Sequence, residues 1–131
     1  MTHRLYNSFL LDTNALLWYF WGSDRMASVK EIIRSEESDV FISVVSLWEI
    51  AIKVRAGKLK IDLDDLRFFA REHTFPELPI TGEYIKTYLE LPNLHRDPFD
   101  HMLLAQAMSC PMRLITGDSL LAEYSPLVMV I

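Results

Sequence analysis

Four of the eighteen acidic residues in this 131-residue chain stand where a carboxylate calls for a chemical explanation. Two of them, Asp12 and Asp118, follow the short runs 9–11 and 113–116, so each lies at the C-terminal end of a predicted strand. In a parallel sheet these ends share one edge, where the carboxylates would repel one another. A divalent cation is the simplest means of keeping them ionised, and all-oxygen ligands favour Mg²⁺ or Mn²⁺ over zinc.

The other two acids lie on predicted helices. Glu49 falls in the apolar stretch 47–54, a helix that we predict to be largely buried, where an unpaired glutamate is costly. Asp100 heads a helical face that continues through the apolar positions 103, 104 and 107, so we expect its side chain to point inward. Its place in the first turn also lets the helix dipole stabilise a carboxylate.

Each acid also has a purely structural explanation. Asp12 and Asp118 could cap the helices that follow them, because aspartate is a favoured N-cap residue. Glu49 could form an ion pair with Lys53 one helical turn later. For Asp97, which immediately precedes a proline, we favour the N-cap role. The argument for a metal site therefore rests on the four acids as a set.

Short apolar segments alternate with helical ones along the chain. The predicted strands are 8–11, 40–44, 77–80, 113–116 and 127–131. The predicted helices are 13–21, 28–37, 46–55, 63–72, 81–91 and 98–108, with one helical turn at 119–123, and Ser46 is expected to cap the third helix. This alternation predicts one α/β domain over residues 1–131, with a mostly parallel central sheet of about four to five strands and helices on both faces.

The composition of the chain argues against several classes of protein. The formal charge of −5 argues against a protein that coats nucleic acid, since such proteins are usually basic. A negative net charge is compatible with a cluster of metal-binding carboxylates. The single cysteine allows no internal disulfide, and no apolar run approaches the ~20 residues that cross a bilayer. We therefore expect a soluble cytoplasmic protein without a membrane partner.

Four motifs, taken in order, resemble the PIN-domain nucleases, and in particular the VapC-type toxins of bacterial toxin–antitoxin pairs. They are LLDTNALLW at 10–18, SLWEIAIK at 46–53, HRDPFD at 95–100 followed by LLAQA at 103–107, and LITGD at 114–118. Each motif alone is weak, but the ordered set covers nearly the full chain.

The resemblance implies a metal-dependent endoribonuclease that hydrolyses RNA phosphodiester bonds. The family's acids fall on Asp12, Glu49, Asp100 and Asp118, and Asp97 matches a further aspartate of this subgroup. The resemblance also implies a cognate antitoxin protein and a homodimer.

Further residues are expected to support these acids or to contact RNA. Ligating carboxylates need hydrogen-bond partners of their own, and the candidates are Thr13, Asn14, Asp97 and Thr116. The candidate RNA contacts are Lys53, Arg55, His95 and Arg96. We expect Trp18, Trp21 and Trp48 to belong to the core or to an interface rather than to stack on bases.

Three other functions fit the pattern less well. A receiver domain would show two adjacent acids after the first strand, but Thr13 follows Asp12. A phosphatase would commonly begin with Asp-x-Asp, and position 14 is asparagine. A noncatalytic binding module on the same fold is disfavoured only because all four acids are present.

Overall fold

A five-stranded parallel sheet forms the centre of the protein, whose computed structural model describes residues 7–93 and 97–131. The strands are β1 (Ser8–Leu11), β2 (Asp39–Ser43), β3 (Glu77–Leu78), β4 (Arg113–Thr116) and β5 (Val128–Val130). Their spatial order is β3-β2-β1-β4-β5. The predicted α/β class and parallel sheet are confirmed, at the upper limit of the expected strand number.

Six α-helices connect the strands of the described part. They are α1 (Thr13–Phe20), α2 (Lys30–Arg34), α3 (Val44–Arg55), α4 (Leu63–Glu72), α5 (Gly82–Glu90) and α6 (Pro98–Ser109). Two 3-10 turns, Asp24–Val29 and Ser119–Glu123, complete the list. Over the described residues, no helix combines the length and the apolar character that crossing a bilayer requires.

The side chains of β1 show that both faces of the sheet are covered. Phe9 and Leu11 belong to one buried apolar cluster, with Leu16, Ile50 and others, whereas Leu10 belongs to a second cluster with Leu103 and others. Successive side chains of a strand point to opposite faces, so the two clusters lie on the two sides of the sheet. Helices on both faces were predicted, and these two cores confirm them.

Two predicted helices begin elsewhere than the sequence suggested. The segment 28–37 was predicted as one helix, but a 3-10 turn occupies Asp24–Val29 and the α-helix spans only Lys30–Arg34. Ser46 does not cap α3, because Ser43 does so by accepting from the Val45 amide at 3.0 Å. Ser46 instead lies inside the helix, fully buried, and its hydroxyl accepts a hydrogen bond from Thr13.

The burial of α3 also differs from the prediction. Its first half is buried through Val45 and Leu47, but Trp48 is 60% exposed and Ile52 is 43% exposed. The sequence did not distinguish a fully buried helix from a helix with an exposed apolar side, because both appear as continuous hydrophobic stretches.

The strand order places a topological switch between β1 and β4. From β1 the chain proceeds to β2 and β3 on one side, and then returns to β4 and β5 on the other. In open α/β sheets the crevice beyond the C-terminal strand ends at such a switch is the usual ligand site. Asp12 directly follows β1, and Thr116 ends β4. The fold therefore brings the first and last acidic motifs to this crevice.

A buried amide holds α6 against this edge of the sheet. Gln106 is fully buried, and its Oε1 accepts from the Ser43 hydroxyl at 2.6 Å. Its Nε2 donates to the Pro79 carbonyl at 3.1 Å. One side chain thus links α6 to the end of β2 and to the residue after β3.

We expect Gln106→Leu to lower the free energy of unfolding by about 1–3 kcal/mol, because the buried Ser43 hydroxyl would lose its acceptor. Urea denaturation measures this change. Ser109→Ala serves as control on the same helix, since Ser109 is exposed and its hydroxyl hydrogen-bonds to Thr87 at the surface. Equal effects of the two substitutions would contradict a structural role for the buried amide.

Candidate metal centre

Asp12 lies at the middle of the acidic cluster and is 4% exposed. It caps α1 by accepting from the Ala15 amide at 2.8 Å, so the capping explanation from the sequence is correct. Burial nevertheless raises the pKa of Asp12 to about 6, and the negative charges of Glu49 and Asp118 add to the rise. Hydrogen bonds from Thr116 and Ala15 act in the opposite direction and only partly offset it.

Asp100 faces the same cluster from the first turn of α6. Its pKa is raised to about 8, first by partial burial and then by the negative charges of Asp97, Asp12 and Glu49. Asp97 caps α6 as predicted, accepting from the Phe99 amide at 2.9 Å. The two aspartates also share a side-chain hydrogen bond, which the protonated carboxyl of Asp100 donates.

Glu49 approaches the cluster from α3 with one paired and one unpaired oxygen. Its Oε2 lies 3.2 Å from Nζ of Lys53, so the expected ion pair is present. Its Oε1 is buried and has no hydrogen-bond partner in the described part of the chain. A buried carboxylate oxygen without a partner is costly, and a cation is the ligand that would satisfy it.

Asp118 and Thr116 close the cluster after β4. Asp118 accepts from the Leu120 amide at 3.0 Å and so caps the 3-10 turn, as the structural alternative proposed. The backbone N–H of Asp118 donates to the Thr116 hydroxyl at 3.0 Å, and that fully buried threonine also hydrogen-bonds to Asp12. Thr116 therefore connects Asp118 to Asp12 through hydrogen bonds.

The charges of five acids interact at this one place. Asp12 interacts with Glu49, Asp118 and Asp100, and Asp100 also interacts with Asp97. Within residues 7–93 and 97–131, however, no three His, Cys, Asp or Glu side chains converge closely enough to hold a metal ion as they stand. The acids are thus neighbours without forming a coordination shell. Their all-oxygen donor set and the unpaired Oε1 of Glu49 fit a hard divalent cation.

The other candidates occupy different surroundings. Thr13 is buried and donates to the Ser46 hydroxyl at 3.0 Å, so it ties α1 to α3. Asn14 is exposed at the same turn. Lys53 is engaged with Glu49, and Arg55 is exposed at the end of α3. The remaining two candidates, His95 and Arg96, lie outside the described residues.

One group near the acids was missed from the sequence. The ring of Trp18 packs against Gly117, which precedes Asp118, so closely that a Cβ at position 117 would lie 2.8 Å from Cζ3 and closer still to Cη2. The guanidinium of Arg25 lies 4.6 Å from the centre of the same ring. Gly117 thus makes room for an aromatic ring, a contact between distant segments that local sequence does not reveal.

A family model and several solved structures match this chain. A family model described as PIN domain matches residues 9–125. No curated protein matches the chain significantly. A chain of VapBC2 from Rickettsia felis, solved bound to a DNA fragment from its promoter, is similar with 16% identity and a TM-score of 0.72, covering 95% of this chain and 97% of that one.

Two further solved structures resemble the chain. A toxin–antitoxin complex from Klebsiella pneumoniae contains a chain with 20% identity and a TM-score of 0.67, covering 92% of this chain and 95% of that one. FitAcB from Neisseria gonorrhoeae contains a chain with 17% identity and a TM-score of 0.58, covering 85% of this chain and 88% of that one. At these identities the likeness shows a shared fold.

The contact between Trp18 and Gly117 gives a prediction about the turn that carries Asp118. Gly117→Ala should lower the free energy of unfolding by about 1–3 kcal/mol, because the added methyl group would overlap the ring. Urea denaturation measures it. In a Trp18→Ala background the same substitution should cost much less, since the overlapping ring is gone.

Gly82→Ala is the matched control, because a Cβ at that position meets nothing within 4 Å. It should leave stability unchanged or slightly raised, as alanine favours the helix more than glycine does. An equal loss from Gly117→Ala with and without Trp18 would show that the ring contact does not determine this glycine.

Proposed function

Because the chain belongs to the PIN domain family, we propose that it is a Mg²⁺- or Mn²⁺-dependent endoribonuclease, acting as the toxin of a toxin–antitoxin pair. We assign this activity to residues 1–131 as one ribonuclease domain. The main support is the group of buried and partly buried acids around Asp12, where burial and then the neighbouring negative charges raise the pKa values of both Asp12 and Asp100. Like charges held close together oppose folding, and binding of a cation would offset that cost.

In this proposal Asp12 and Asp100 are the central metal ligands, and Glu49 and Asp118 complete the set directly or through water. When bound, the cation lowers the pKa of a water molecule and neutralises the charge that develops on the phosphate. The negative charges of Glu49 and Asp118 both interact with Asp12. We therefore assign to either carboxylate the orientation of the attacking water and the acceptance of its proton.

Other residues hold the acids in position. The Thr116 hydroxyl fixes Asp12, and the hydrogen bond between Asp97 and Asp100 fixes the start of α6. Thr13 couples α1 to α3, the helix that carries Glu49. Asn14 is exposed beside Asp12, where its amide can contact substrate or a water molecule.

Basic side chains supply the RNA contacts in this proposal. Lys53 and Arg55 lie on the exposed end of α3, and we assign phosphate contacts to them and to His95 and Arg96. The net charge of −5 leaves little general attraction for RNA, so the metal-occupied acids would supply much of the local attraction for phosphate.

The protein partners in this proposal are an antitoxin and a second copy of the chain. An antitoxin partner is supported by the similar chains found in a toxin–antitoxin complex from Klebsiella pneumoniae and in VapBC2 from Rickettsia felis. Exposed apolar groups support protein contacts here, with Trp21 52% exposed and Leu89 81% exposed. We place the protein in the cytoplasm, in keeping with its single cysteine, Cys110.

Cleavage of RNA by the purified protein tests the proposal. Activity should require Mg²⁺ or Mn²⁺, and Asp12→Asn and Asp100→Asn should each reduce it by at least about a hundredfold, since loss of outer-shell partners alone costs 10–100-fold. The measurement is the rate of product formation from single-stranded RNA, with circular dichroism to show that each variant is folded.

Glu72→Gln is the control, because Glu72 is an exposed acid at the end of α4. It should cleave at the rate of the unmodified protein. Equal residual activity in all the variants would identify a contaminating nuclease and contradict the assignment.

A further inference from the structure

An apolar cleft of about 250 Å³ is lined in part by α3 and α6, the helices that carry Glu49 and Asp100. It is bounded by the start of α3, the start of α6, α5 and the segment that follows β3. Its walls include Trp48, Ile80, Tyr88, Pro98, Phe99 and Met102. No charged side chain lines it in the described part of the chain. The cleft is therefore suited to an uncharged group rather than to a phosphate or a cation.

The cleft and the acids are built from the same two helices. Trp48 directly precedes Glu49 on α3, and Phe99 directly precedes Asp100 on α6. The rings of Trp48 and Phe99 meet edge to face, with centroids 5.4 Å apart and planes at 71°. Consecutive Cα atoms are only about 3.8 Å apart, so the backbone of each aromatic residue lies next to that of an acid, and the two side chains leave the helix in different directions.

We infer that this cleft receives one unpaired nucleobase of the RNA, next to the phosphate held at the acids. The inference rests on the proposed ribonuclease function and adds to it the means by which substrate is positioned. An exposed aromatic face is what single-stranded nucleic acid binds by stacking, and Trp48 is 60% exposed. This revises the expectation that the tryptophans of this chain do not stack on bases.

The size of the cleft favours a base over a protein segment. Pockets for drug-sized ligands measure about 300–1,000 Å³, so 250 Å³ suits a single ring system. Three of the side chains named above are aromatic, and Pro98 adds a flat apolar surface. Among the described residues that line the cleft, the Tyr88 hydroxyl and the Trp48 indole nitrogen are the only side-chain oxygen or nitrogen atoms, so stacking should dominate and sequence preference at this position should be weak.

Binding of short single-stranded oligoadenylate tests this inference. The protein would carry both Asp12→Asn and Asp100→Asn, so that RNA binds without being cut, and isotope-labelled methionine methyl groups would report contact at Met102. Oligoadenylate should shift the Met102 resonance. The same oligomer with one abasic position should bind about tenfold more weakly when that position is the one that occupies the cleft.

Substitutions at Trp48 provide the matched comparison. In this background Trp48→Ala should weaken oligoadenylate binding by about tenfold and abolish the effect of the abasic position, whereas Trp48→Phe should retain most of the affinity. Phe68→Ala removes an aromatic side chain that is 57% exposed and lies outside the cleft, and it should leave the affinity for oligoadenylate unchanged. Unchanged affinity in Trp48→Ala would overturn the inference.

Two further outcomes separate this inference from the ribonuclease proposal. If the unmodified protein cleaves RNA but Trp48→Ala binds oligoadenylate normally, the cleft assignment fails and the ribonuclease stands. If no metal supports cleavage while the base-dependent shift at Met102 persists, the ribonuclease fails and base binding is supported. A lower sedimentation mass of Trp48→Ala, with no effect on RNA affinity, would show that a second copy covers the cleft and would overturn the inference.

Discussion

Repulsion among carboxylates in a partly buried site is the constraint on which the structure of this protein depends. Asp12 and Asp100 both have raised pKa values, because burial and neighbouring acids disfavour their ionised forms. A raised carboxyl pKa means that ionising the group opposes folding, so at neutral pH this cluster lowers the stability of the fold. Neutralisation by a divalent cation would remove that cost and, in the same step, produce a site that binds phosphate.

The rest of the fold compensates for this cost through buried contacts around the strand ends. Gln106 joins α6 to the ends of β2 and β3, and Thr116 supports Asp12 from β4. The ring of Trp18 against Gly117 holds the turn before Asp118. These contacts come from different segments of the chain, so the acids keep their places although they repel one another. Helix capping contributes as well, because Asp12 and Asp118 accept hydrogen bonds from backbone amides.

Much of this organisation could be predicted from the sequence, because it follows from local patterns. The strands at 8–11 and 113–116, the capping role of Asp97 and the ion pair between Glu49 and Lys53 all depend on residues close together in the chain. What could not be predicted depends on distant contacts. The exposure of Trp48, the unpaired Oε1 of Glu49 and the fit of Trp18 on Gly117 are set by how α1, α3 and α6 pack. The capping roles of Asp12 and Asp118 and the ion pair of Glu49 are confirmed, whereas the metal site remains a prediction.

The measurement that tests the central claim most directly is proton release when Mn²⁺ binds, followed by titration calorimetry in two buffers of different ionisation enthalpy. At about pH 7 the carboxyl of Asp100, whose pKa is raised to about 8, is mostly protonated and must lose its proton to bind a cation. The account predicts saturable Mn²⁺ binding with release of about one proton, falling towards zero above the raised pKa and in Asp100→Asn. Absence of Mn²⁺ binding, or binding whose heat is the same in both buffers, would contradict a metal site formed by these carboxylates.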